Sequence, residues 1–191
     1  MERYRIPRYV LSKVLSRIQQ EGWIEKSAGH GRCFLPMIDS PEAYEESYFF
    51  RLAIEPTGLV SLGFKADLAE LERLHGEQQF IIEGGFETMT AVELYLANRE
   101  FHENLARWSG NRFILQSVRR IDQLRRLVEY RQVLLRPPRR VQAQEHLAIL
   151  AAIARQDLPK AAGLMRAHLE RAMCNKVKEV LIFPGPLARQ S

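Results

Sequence analysis

The chain is poor in cysteine: only Cys33 and Cys174 occur among its 191 residues. Two thiols cannot build a disulfide framework, so a packed core has to hold the fold, and a reduced, cytoplasmic setting is expected. Long apolar runs are missing as well. None approaches the ~18–20 residues that span a bilayer, and the start lacks the apolar stretch of a signal peptide, so no membrane partner is expected. There is no internal repeat and no low-complexity segment. Acidic charge is scarce only at the front. Residues 1–36 carry seven Lys/Arg against three Glu, which is most of the net charge of +5. Basicity concentrated in a head favours a polyanionic partner there, because Lys and Arg neutralise phosphates and release their counterions.

That head has a recognisable layout. The stretch from Arg8 reads as a helix that ends at Gly22 and runs straight into an extended stretch at Trp23-Ile24-Glu25. Gly29-His30-Gly31 then makes a tight turn, and Arg32-Cys33-Phe34-Leu35 is a second extended run, as in a two-stranded hairpin. A basic helix followed by a basic hairpin is a device for reading DNA.

Beyond Pro36 the periodicity becomes helical, with no strand signal. It predicts helices at about 40–62, 66–83, 88–107, 111–135, 138–155 and 158–182. Ser40-Pro41 is a helix start, with a capping residue before a proline in the first turn, and Ser109-Gly110-Asn111 separates two helices. The fold class expected is all-α, an antiparallel six-helix bundle over 37–191 preceded by a partial winged helix-turn-helix over 1–36.

Three of the five histidines, His102, His146 and His168, fall inside these helices on apolar stripes. Around His102 lie Leu94, Tyr95, Asn98, Leu105 and Ala106; around His146, Ile149, Leu150 and Ile153; around His168, Leu164, Met165, Leu169 and Ala172. Asn98 sits one turn from His102. Each imidazole alone reads as a hydrogen-bonded core residue, whereas three together suit a divalent metal such as Zn or Ni in a bundle interior. No acidic ligand accompanies them on their stripes. Arg51 lies in an apolar segment and pairs either with a carboxylate ligand or with an internal acid such as Glu55. Arg125 occupies a similar place on the stripe Val118-Ile121-Leu124-Val128.

Head and body together resemble the GntR family of bacterial transcription regulators, in the FadR branch whose effector domain is of the FCD type. Pro7-Arg8-Tyr9-Val10-Leu11-Ser12-Lys13-Val14-Leu15 is similar to that family's recognition helix, Ile18-Gln19-Gln20-Glu21-Gly22-Trp23-Ile24 to the segment after it, and Gly29-His30-Gly31-Arg32-Cys33-Phe34 to its wing. In the body, Asn98-Arg99-Glu100-Phe101-His102 with Ser109-Gly110-Asn111, then Glu145-His146, then Met165 to Leu169 resemble the FCD motifs. The resemblance implies a metal held by one Asp and three His beside a small organic acid. The histidines transfer as His102, His146 and His168; the aspartate is Asn98 here, a neutral and poorer donor.

The same resemblance implies a ligand-responsive, non-enzymatic regulator, dimeric with itself, whose full-length form binds double-stranded DNA. Arg8, Tyr9, Ser12 and Lys13 would face the major groove, with His30 and Arg32 on the wing, and Arg51 and Arg125 would meet the effector. The family's winged helix has about two more helices before the recognition helix, and residues 1–6 are too few to supply them, so an incomplete head is expected. Two other functions fit the residues: a three-histidine metal hydrolase with Glu103 or Glu145 as base, neither of which lies on an inward stripe, and a ligand sensor without DNA binding.

Overall fold

The computed structural model describes residues 6–20, 23–27, 29, 31–35, 38, 40–135 and 139–180. The chain divides into two compact units, Met1–Met37 and Ile38–Ser191.

In the first unit, helix α1 (Arg8–Gln20) starts behind Pro7, whose carbonyl accepts from the backbone N–H of Val10 and Leu11 at 3.1 Å each. At its far end the Trp23 N–H returns to the Ile18 carbonyl at 2.9 Å, and β1 (Ile24–Ser27) begins at once. It pairs antiparallel with β2 (Gly31–Phe34), Ile24 opposite Phe34 and Ser27 opposite Gly31. Gly29 and Gly31 have φ of 79° and 82°, a left-handed conformation that glycine adopts without a Cβ penalty. Arg32 donates from Nε to Gln19 Oε1 at 3.3 Å, which ties the wing to the helix.

The second unit is the helical bundle. Helix α2 (Pro41–Leu59) is capped by Ser40, whose hydroxyl accepts from the Ala43 N–H, and α3 (Leu68–Phe80) is capped in the same way by Asp67. The single helix expected at 66–83 ends earlier. A π-turn (Ile81–Gly85) follows it, with Gly84 at φ 122°, then a three-residue helix α4 (Phe86–Thr88). Helix α5 (Ala91–Trp108) opens on a reciprocal capping box between Thr90 and Glu93. Then come α6 (Arg112–Leu135), α7 (Arg139–Ala154) and α8 (Leu158–Val180). The α5–α6 turn places Gly110 at φ 71° against the backbone of Gly63.

The bundle interior combines an apolar core with a set of buried polar and charged side chains. Tyr44, Leu59, Leu74, Phe101, Trp108, Ile149, Leu150, Met165 and Leu169 are buried, and each such apolar side chain removed from water stabilises by roughly 1.5–3 kcal/mol. Among them lie Arg51, Glu55, Gln78, His102, Asp122, Arg125, Glu129, His146 and His168, also buried. Buried charges survive only when paired, and these are grouped tightly enough to form a site.

Candidate metal and effector site

Three helices deliver the imidazoles: His102 from α5, His146 from α7 and His168 from α8, with ring nitrogens within 4.8 Å of one another. Their stripes place them there. Leu94, Tyr95, Leu105 and Ala106 are buried around His102, Ile149, Leu150 and Ile153 around His146, and Met165 and Leu169 around His168. Phe101 lies flat on the His146 ring, centroids 3.8 Å apart at an interplanar angle of 11°.

Each ring is oriented through its Nδ1 by an oxygen from outside the triad. His102 Nδ1 meets Glu55 Oε2 at 2.7 Å, His146 Nδ1 meets Gln78 Oε1 at 3.0 Å, and His168 Nδ1 meets Glu145 Oε2 at 2.6 Å. An ionised carboxylate only accepts, so Nδ1 of His102 and of His168 carries the ring proton and Nε2 keeps its lone pair. The Gln78 carbonyl oxygen asks the same of His146. The Nε2 atoms turn inward: those of His146 and His168 are 3.4 Å apart, and that of His102 is buried with no hydrogen-bond partner. Lone pairs so arranged repel one another unless a cation lies among them. Ring orientation by an outer acceptor is what metal-ligating histidines use.

The protonation states agree with that geometry. Burial, which outweighs the attraction of Glu55, pushes His102 down to about 3. Burial also lowers His168 against the opposing pull of Glu145. Both imidazoles are therefore neutral near pH 7, the form that binds metal. Burial alone would raise Glu55, but Arg51 and then His102 hold its carboxyl well below the usual carboxylate range.

Asn98 lies on α5 one turn from His102, half-buried, and its Oδ1 is buried without a partner. With Gln78, Gln142 and His146 it lines a cavity of about 10 Å³. Arg51 ion-pairs through Nε with Glu55, the internal acid its sequence neighbourhood offered, while its Nη2 is buried without a partner. Arg125 is more heavily engaged. Its Nη2 donates to Glu129 Oε1 and Tyr48 Oη, both at 2.7 Å, and to Tyr44 Oη at 3.2 Å, and its guanidinium lies 4.3 Å from the Tyr48 ring centre. Its Nε is buried without a partner.

Several site residues are not apparent from the sequence. Gln78 follows Leu71 and Leu74 on the buried face of α3, and a polar residue at that spacing on an apolar stripe was the available signal. On α6 the buried face keeps Val118, Arg125 and Val128 of the expected stripe and adds Asp122, Arg126 and Glu129, while Ile121 and Leu124 are only half-buried. Its charges hid its burial. Asp122 lies deep enough that burial, with Glu55 adding, raises it to about 7 against Arg51 and Arg125. Glu145 was expected off the core, yet its carboxylate reaches both His168 and Arg171 Nε, the latter at 2.5 Å.

In the head, Arg8, Tyr9, Ser12 and Lys13 are exposed on a single face of α1, Tyr9 at 75 %, and Arg32 is exposed on β2. His30 lies outside the described residues.

Fold and site together define a helical domain with a three-histidine centre, attached to a helix-and-wing unit. Residues 46–171 match the family model described as the FCD domain, and the chain belongs to that family. Solved structures share the fold. One, described as Lar, which controls expression of the Listeria monocytogenes agr system and mediates virulence, is 14 % identical with a TM-score of 0.66, covering 94 % of this chain and 83 % of that one. A GntR-family transcriptional regulator from Pseudomonas syringae pv. tomato is 17 % identical with a TM-score of 0.56, covering 92 % and 71 %. Streptococcus agalactiae GntR is 18 % identical with a TM-score of 0.54, covering 91 % and 85 %. No curated protein matches the sequence. Among the described residues no helix is long and apolar enough to cross a membrane.

Proposed function

We propose that this chain is a ligand-responsive transcriptional regulator of the GntR type, in which a small organic acid binds beside a divalent metal in the bundle. The observation that carries this reading is the convergence of three Nε2 atoms whose rings are each oriented by a different outside acceptor. His102, His146 and His168 hold the ion, Zn or Ni by ligand type, and Asn98 stands beside them as a weak neutral oxygen donor. A divalent ion supplies a Lewis-acidic anchor for an anionic effector. Arg51, through its unpartnered Nη2, and Arg125, through its Nε, supply the positive field that receives the effector's carboxylate.

The regulator acts as a cytoplasmic homodimer on double-stranded DNA. Arg8, Tyr9, Ser12 and Lys13 read the major groove, and Arg32 and His30 meet backbone or minor groove from the wing. Signalling requires the effector to bind the DNA-competent and DNA-incompetent arrangements unequally, since equal affinity shifts nothing. The hydrolase reading loses its base. Glu145 is bound at the Nδ1 side of His168, away from Nε2, and Glu103 pairs with Arg119 at 2.9 Å.

Calorimetric titration of the purified chain with Ni²⁺ and Zn²⁺ tests the site, and His146→Ala removes the binding if the reading is right. Fluorescence anisotropy on fragments from the flanking genomic region tests the head. Lys13→Ala is expected to weaken binding and to relax base preference at the position it reads. Absence of metal uptake and of DNA binding, in this chain and in one extended upstream, refutes the proposal.

A further inference from the structure

The cavity beside the triad carries a second layer of information about the effector. It is lined by Gln78, Ile81, Leu94, Asn98, Gln142 and His146, together with Ala143, and at about 10 Å³ it has room for a body the size of one water. Its polar lining is unusual in kind. No side chain of full charge borders it; the polar groups are three carboxamides and an imidazole.

Two of those carboxamides are unsatisfied there. Gln78 is 2 % exposed, and because its Oε1 is committed to His146 Nδ1, its Nε2 is left as a buried donor with no partner. Asn98 Oδ1 is a buried acceptor with no partner. Leaving such groups unpaired is costly, and native interiors hold few of them. Here the residues that carry this donor and this acceptor line the same small space.

We infer that this cavity is a subsite for a hydroxyl group of the effector, which accepts from Gln78 Nε2 and donates to Asn98 Oδ1, so that the acid recognised is a hydroxylated one. A hydroxyl is the size of the water the cavity admits, and it is donor and acceptor at once. An alkyl group leaves both orphans unpaired. An amide oxygen has two lone pairs, so a place near the ion does not exhaust Asn98. Larger substituents would press on Ile81, which belongs to the π-turn, where the i→i+4 ladder is already interrupted and Gly84 stands at φ 122°.

This inference rests on the effector reading proposed for the triad, and its test separates the two. The Ni²⁺-loaded full chain is titrated with two matched pairs of acids, lactate against propionate and gluconate against hexanoate. The hydroxylated member of at least one pair is expected to bind about 10-fold tighter, the value of one well-placed hydrogen bond together with relief of the orphaned partners. Asn98→Leu, similar in shape but without polar atoms, is expected to bring the affinities within each pair to within about 2-fold of each other. Asn98→Asp keeps the acceptor and is expected to keep the preference. Equal affinities within both pairs, binding of none of the four acids, or a preference that survives Asn98→Leu overturns the inference. Ni²⁺ uptake measured on the same samples shows whether the metal site stands when the subsite fails.

Discussion

Acidification from about pH 7 to pH 5 sets two buried groups of this protein against each other. His102 has an ordinary value of 6.5 and is held down to about 3 in the fold, so below pH 6.5 the unfolded chain takes up a proton that the folded chain refuses. Stability from this group is complete above pH 6.5 and is lost as pH falls towards 3. Between pH 6.5 and 5 the loss is about 1.5 units at ~1.36 kcal/mol each, or about 2 kcal/mol. Asp122 works the other way. Its ordinary value is 3.8 and the fold raises it to about 7, so its contribution is complete below pH 3.8 and is lost as pH rises to about 7. Going from pH 7 to 5 regains about 2–3 kcal/mol.

The two slopes therefore nearly cancel, and the native protein is expected to unfold in urea with stabilities at pH 7 and pH 5 that agree within about 1 kcal/mol, with a chelator present to exclude metal linkage. Asp122→Asn mimics the protonated carboxyl and removes one slope. That variant should lose about 2 kcal/mol between pH 7 and 5, because His102 is no longer opposed and the lowered His168 acts in the same direction. Half-buried Glu77 is raised and opposes them weakly. A flat profile in Asp122→Asn, or a steep one in the native protein, refutes the reasoning.

Glu145→Gln should weaken Ni²⁺ binding by roughly 10- to 100-fold in calorimetry while leaving the three ligands in place, since it alters only the acceptor that orients His168. Arg125→Met should destabilise by about 3–5 kcal/mol in denaturant titration by stranding buried Glu129, and Arg125→Met with Glu129→Leu should recover most of that loss. Gly110→Ala should lower stability by about 2 kcal/mol or more, because it adds left-handed strain at φ 71° to a Cβ that would stand 2.9 Å from the Gly63 carbonyl oxygen. Unchanged thermal unfolding in that variant would contradict the close approach.

Much of the bundle was legible in the order of residues. Apolar spacing and the punctuation at Ser40-Pro41 and Ser109-Gly110-Asn111 set six helices to within a few residues of their observed ends, because capping and periodicity are local effects. The π-turn was not legible: Gly84-Gly85 reads as a turn, and whether the chain bends or widens there depends on what packs against it. The same division runs through the site. His102, His146 and His168 were found because each occupies an otherwise apolar stripe, a property a helix carries by itself.

Their partners needed the tertiary structure. Nothing in the order of residues says that Glu55, Gln78 and Glu145 reach the three Nδ1 atoms, since that depends on how α2, α3, α7 and α8 are set against α5. Nor does it say that Asp122 and Glu129 are inside with Arg125, since charged residues at helical spacing read as a solvated face until a matching set of charges is brought opposite them. Sequence alone determined which residues could bind an ion and which helix carries each. Only the packing decided that three lone pairs meet, that Gln78 Nε2 and Asn98 Oδ1 are left unpaired beside them, and that a row of charges on α6 pays for its burial with partners from α2.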